Sequence, residues 1–384
     1  MVDNIANFGG DPDRITFNGA SAGAASVRVH LGSPLSIGKF HGAITMSSLG
    51  GGVGLGLDGN YATQYGAYPT VEESFNLSSA LFGEAGCNQT DNNEKVTCLK
   101  TLDAGAIVNL TTVARYVVQD GKYVTTPELL VDGPGNNTAN VPVMFGIAAN
   151  DGASFSTYPE MPVTNETAGV MAGLSISEAE ADRVIASGLF PYFSTGNTTL
   201  DSFNVSQRVA TDNQFRCVNQ ASAFAGGTTG AFKAAYYFET DRTDGPGGYD
   251  PNGLGGPPTS PDFPLGNPSL PYFRLHSSDQ DRQFGFLQTI REPADLFSVQ
   301  MTVGHFAEFI RSGQPNPSET YLRIRGYDAV LQGLRQAGPW EPIRSEQGPI
   351  RKLDWPGSSA DFVDKPQCAF LNYSITYYTS GDRR

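Results

Sequence analysis

Gly19-Ala20-Ser21-Ala22-Gly23 sets one hydroxyl inside a run of residues that have almost no side chain. The pattern G-x-S-x-G is that of a nucleophile elbow, a serine on a sharp strand-to-helix turn. Such a turn strains the serine backbone and crowds its neighbours, which favours glycine two before and two after. The context agrees, with β-favouring "RITFN" ahead of Ser21 and helically spaced "AASVRVHL" behind it. A helix N-terminus favours negative charge, so the N–H of Ala22 is the candidate oxyanion donor. A serine hydroxyl attacks a carbonyl carbon only if a base takes its proton. The chain has four histidines. His30 follows the elbow on the same helical run and reads as a packing residue. His41 precedes a strand, and His305 sits among core-facing positions of a long helix. His276, in "PYFRLHSSDQD", lies on a late loop, where the order serine, acid, histidine puts the base. The candidate acid between them is Asp151, at the end of "VPVMFGIAANDG", placed to hold the imidazole tautomer, with an ordinary Asp-Gly turn as the other reading.

These groups need elements to position them. Four segments read as buried strands: 14–18, 42–48, 141–149 and 232–240, each short, apolar or β-branched and bounded by Gly, Asn or Asp. Helical spacing covers 22–31, 176–190 and 208–225. It is clearest in "EPADLFSVQMTVGHFAEFIRSG", where Leu296, Val299, Val303, Phe306 and Ile310 recur and Gly313 and Pro315 mark the stop. Strands alternating with helices predict an α/β fold with a largely parallel sheet. Residues 244–271 are rich in Pro and Gly and read as one long loop. No repeat or linker divides the chain, so residues 1–384 are expected to form a single domain.

Hydrophobic residues make up 39% of 384, enough for a sizeable core. A net charge of −14 repels phosphate backbones and argues against nucleic acid as a partner. No apolar run is long enough to span a membrane. The opening "MVDNIANFGG" has neither a basic start nor an apolar stretch and does not read as a secretory leader. Eight Asn-X-Ser/Thr sequons, at Asn76, Asn88, Asn109, Asn136, Asn165, Asn197, Asn204 and Asn372, nevertheless suggest a glycosylated, secreted chain. Cys87, Cys98, Cys217 and Cys368 allow three disulfide pairings. A bond between Cys87 and Cys98 would close a local polar loop and leave Cys217 with Cys368. With no CxxC and no Cys/His cluster, neither a metal nor another cofactor is expected.

Read together, these stretches resemble the type-B carboxylesterase/lipase family of α/β-hydrolases. "NIANFGGDPDRITFNGASAGAASV" resembles its elbow, with Ala20 where the family usually has Glu. "VPVMFGIAANDGASF" resembles the strand before its acid, most often Glu and here Asp151, and "LHSSDQ" resembles its histidine loop. "AGCNQTDNNEKVTCLKTL" is similar to its small disulfide loop. "FRCVNQASAF" and "PQCAFLNYSI" are similar to places where some members carry a second bridge. The resemblance implies hydrolysis of small-molecule or lipid esters through an acyl-enzyme, with Ser21, His276 and Asp151 as the triad. It also implies earlier strands and a Gly-rich oxyanion loop ahead of the elbow. The Gly-rich "SSLGGGVGLG" at 47–56 follows the elbow instead. The expectation is therefore an N-terminally truncated member that lacks the first strands and turns over p-nitrophenyl esters poorly. The alternative is a binding or adhesion protein on the same fold with catalysis lost, or a non-functional fragment.

Overall fold

The computed structural model describes residues 2–50, 67–112, 117–135, 137–242, 248–255, 259–270, 273–286 and 289–380. Six strands form one sheet in chain order: β1 (Thr16–Ala20), β2 (Gly42–Met46), β3 (Pro142–Ala148), β4 (Ala234–Thr240), β5 (Ile350–Leu353) and β6 (Ser358–Ala360). β1 to β5 run parallel and β6 turns back antiparallel to β5. A parallel sheet needs cover on both faces, and alternate side chains of these strands show it. Val143, Phe145 and Ile147 of β3, with Ala235 and Tyr237 of β4, join one core cluster. Met144, Tyr236 and Phe238 join the other, with Ile44 and Met46 of β2. Helices pack on both sides: Ala22–Leu31 and Thr198–Thr228 against the first cluster, Pro293–Ser312 against the second. This is the α/β-hydrolase arrangement. Among the described residues β1 is an edge of the sheet and only half-buried.

The sequence-predicted elements hold with local corrections. The first strand continues past residue 18 to Ala20, because Gly19 and Ala20 pair with Thr45 and Met46 despite their weak β-preference. The segment 176–190 narrows to Glu178–Ala186, opened by a reciprocal cap between Ser177 and Glu180. The segment 208–225 belongs to a longer element: Thr198–Thr211, a π turn at Asp212–Arg216, then Cys217–Thr228. In Pro293–Ser312 the buried face is offset from the predicted one. Val299 and Phe306 face the core with Met301, His305 and Phe309, Leu296 and Val303 are half-buried, and Ile310 is 45% exposed. Gly313, at φ 76°, ends this helix. The described parts of 244–271 contain no helix or strand; 244–247, 256–258 and 271 lie outside the described residues.

The π turn aims Arg216 into a buried ionic cluster at the C-terminal end of the sheet. Its guanidinium meets Asp212, Glu239 at 2.8 Å and Asp364 at 3.1 Å, and donates to the Ala149 carbonyl at 3.3 Å. Lys352 of β5 closes on Glu239 at 2.6 Å. Burial pushes the Asp212 carboxyl up to about 7, against the pull of Arg216. The cluster ties β3, β4 and β5 together just before Asp151.

Candidate active site

Ser21 lies between β1 and the helix Ala22–Leu31, with φ 55° and ψ −122°. A β-substituted residue at this φ is strained and persists only where its surroundings over-determine it. The surroundings are visible. The Ser21 N–H donates to the Met46 carbonyl at 2.9 Å, pinning the turn to β2. A Cβ at Gly19 would overlap the Gly23 carbonyl, so the chain before and after Ser21 approaches to a separation that only glycine allows. Gly23 differs from the sequence expectation: a Cβ there would meet nothing within 4 Å, so the crowding falls on Gly19 alone. Ala22 opens the helix, and its N–H is among those with no acceptor inside the helix.

Two strands along, Asp151 begins a 3₁₀ turn, Asp151–Ser154, directly after β3. Its side chain is fully buried. Oδ2 accepts from the Ser47 hydroxyl at 2.8 Å and from the Ala148 N–H at 3.1 Å. Oδ1 lies 2.8 Å from Nδ1 of His276. Asn150 brings the histidine loop alongside: its N–H donates to the Arg274 carbonyl at 3.2 Å, and its Oδ1 accepts from the Arg274 N–H at 3.1 Å. The imidazole is held between Phe155, edge-on at 4.9 Å between ring centres, and Phe215 at 5.1 Å. Its Nε2 is buried and has no hydrogen-bond partner among the described residues, the Ser21 hydroxyl included. A carboxylate on Nδ1 fixes the tautomer whose Nε2 carries a lone pair, the form a general base requires.

Ser21 follows β1, Ser47 follows β2 and Asp151 follows β3. All three stand at the carboxyl edge of the parallel sheet, where open α/β sheets place their ligands. The sequence reading missed Ser47, Ser154, Phe155 and Phe215 as contributors. Ser47 falls inside the strand expected at 42–48; the strand ends at Met46, which leaves Ser47 directly after it at the sheet edge. Asp279, also missed, is buried near this pair. Burial, and then the charge of Asp151, push its carboxyl up to about 6.

The remaining histidines stand apart from this pair. His30 meets the Ser36 hydroxyl at 2.7 Å and packs on Phe17. Nδ1 of His41 lies 3.4 Å from the Ile15 N–H. His305 is buried against Trp340 with Nδ1 on the Pro315 carbonyl, and burial pushes it down to about 4. Cys87 is bonded to Cys98 and Cys217 to Cys368, the pairing the resemblance implied. Asn76, Asn88, Asn109, Asn165, Asn197 and Asn372 are exposed, and Asn204 is half-buried within its helix. Asn136 and residues 51–56 of the Gly-rich segment lie outside the described residues. Among the described residues no helix is long and apolar enough to cross a membrane.

Comparison with known proteins bears on the family. The carboxylesterase family profile matches residues 1–371. A neuroligin-like protein, glit-1, of Caenorhabditis elegans is 34% identical over 166 residues, 40% of this chain and 21% of that protein. An acylcarnitine hydrolase of Rattus norvegicus is 37% identical over 123 residues, 32% of this chain and 19% of the relative. The pyrethroid hydrolase Ces2a of Mus musculus is 39% identical over 123 residues, 32% of this chain and 20% of the relative. The matched stretch thus spans about a fifth of each relative's length.

Proposed function

The chain belongs to the carboxylesterase family, and from that premise we propose that it is a serine hydrolase that cleaves carboxylic esters through an acyl-enzyme on Ser21. The observation that carries the reading is the Asp151–His276 hydrogen bond, with Nε2 unpartnered on the same sheet edge as the strained Ser21. His276 Nε2 takes the Ser21 hydroxyl proton while Oγ bonds to the ester carbonyl carbon, and the carbonyl π pair moves onto oxygen. That oxyanion accepts from the Ala22 N–H. Collapse breaks the bond to the alcohol oxygen, which receives the proton from Nε2. Water then repeats the sequence and releases the acid. Ser21 and Nε2 of His276 share no hydrogen bond in the free protein; the bond forms as substrate binds, since catalytic hydrogen bonds often become good only in the complex. Asp151 keeps Nδ1–H directed at itself and stabilises the imidazolium. The substrate class is small-molecule or lipid esters. The exposed sequons and two disulfides support an extracellular, glycosylated protein.

The neuroligin-like relative favours a second reading, a binding protein on the same fold. A fluorophosphonate separates the two. The esterase reading expects labelling of the purified protein that Ser21→Ala and His276→Ala each abolish. No labelling of folded wild-type protein would favour the binding reading.

A further inference from the structure

We infer that Ser154 is a positioning residue for His276, acting through the main chain, and that residues 248–252 of the Pro/Gly-rich loop are the brace it works with. The inference rests on His276 being the base. Ser154 ends the same 3₁₀ turn that Asp151 begins, so two anchors for one histidine ride on a single four-residue turn. Asp151 holds the ring at Nδ1. Ser154 holds the backbone: its Oγ accepts from the His276 N–H at 3.1 Å and donates to the Tyr249 carbonyl at 2.5 Å. The Tyr249 N–H donates in turn to the His276 carbonyl at 2.8 Å, closing a ring of three residues.

The neighbouring chain is shaped to this ring. Gly248 has φ 89°, and a Cβ on it would lie 2.5 Å from the His276 carbonyl oxygen and 2.9 Å from the Ser278 nitrogen. The loop therefore lies against the histidine backbone at a distance only glycine permits. Asn252 straps the loop to the turn from the far side. Its Nδ2 donates to the carbonyls of Ala153 and Ser156, both at 2.8 Å, and its Oδ1 accepts from the Tyr158 N–H at 2.9 Å. Ser277, next to the base, has φ 67°, a strained value for serine that needs support from outside its own segment. The brace supplies it. Removing the Ser154 hydroxyl leaves the buried His276 N–H and the part-buried Tyr249 carbonyl without their shared partner and frees the His276 Cα to drift from Ser21.

The test uses Ser154→Ala in the full chain, with ester kinetics, fluorophosphonate labelling and proton NMR of the low-field Nδ1–H resonance between His276 and Asp151. The expected result is a kcat lowered about tenfold with KM unchanged, since a small misplacement of a base costs rate before binding. Labelling slows in parallel, and the low-field resonance broadens while the folded spectrum persists. Asn252→Ala, which keeps the hydroxyl but cuts the strap, shifts the same readouts in the same direction and decides the matter if Ser154→Ala does not fold. Wild-type kcat and an unchanged resonance in whichever of the two folds would overturn the inference. The resonance is read in free protein, so it tests the brace even if the esterase reading fails by absence of labelling in wild type.

Discussion

Replacing Asp151 by Asn changes one atom type in a fully buried site, and the hydrogen bonds around that site decide the outcome. The carboxylate accepts three of them, from Ser47, Ala148 and His276. An asparagine must choose which end receives its oxygen. Ser47 can rotate its hydroxyl and serve as donor or acceptor, and the imidazole can change tautomer. The Ala148 N–H can do neither, since it is a fixed donor 3.1 Å away. The amide oxygen therefore takes the Ala148 side, and the NH₂ faces Nδ1. Nδ1 becomes the acceptor, the ring proton moves to Nε2, and the lone pair meant for the Ser21 proton is lost. Wrong-tautomer variants of such triads lose about 10⁴ in kcat, roughly 5 kcal/mol of barrier. Folding should suffer little, about 1–2 kcal/mol, because shape is kept and the polar groups stay paired. The assay is p-nitrophenyl butyrate hydrolysis alongside urea unfolding. A variant within tenfold of wild-type kcat would refute the tautomer argument.

The other predictions are structural. Gly19→Ala puts a methyl group against the Gly23 carbonyl and should abolish fluorophosphonate labelling through loss of the elbow, read beside circular dichroism to confirm the remaining helices. Loss of the Cys217–Cys368 bridge, which spans 151 residues, should destabilise the fold by about 5 kcal/mol, against about 3 for Cys87–Cys98, which spans 11. Melting temperatures of the paired Cys→Ser variants give the order. His305 titrates near 4 in the fold because it is buried, and near 6.5 when unfolded. The unfolded chain then binds more protons between these values, so stability should fall by about 3 kcal/mol as pH drops from 6.5 to 4. His305→Gln should flatten that part of the urea-unfolding pH profile, and an unchanged slope would count against it.

The elbow was legible because it is local: small residues around Ser21, a strand before and a helix after are neighbours in the chain. β2, β3 and β4 were legible because burial on both faces makes them continuous apolar runs, as "VPVMFGIAA" shows. β5 and β6, of four and three residues, are too short to show a period. The helix from Thr198 was hidden by its own polar residues. Asp201, Ser202, Ser206 and Gln207 are buried, partnered within the fold and invisible to a hydrophobic pattern. The pairing of Asp151 with His276 was inferred from order along the chain. Their supports, Ser47 and Ser154, lie 104 and 122 residues from the groups they hold, and no local spacing reports such contacts.

The most direct test is to quench the purified protein with acid early in its reaction with p-nitrophenyl acetate and sequence its peptides by mass spectrometry. The account predicts an acetyl group on the Ser21 hydroxyl in wild type and none in His276→Ala. Ester turnover with no acetyl on Ser21, or turnover that survives Ser21→Ala, would contradict it.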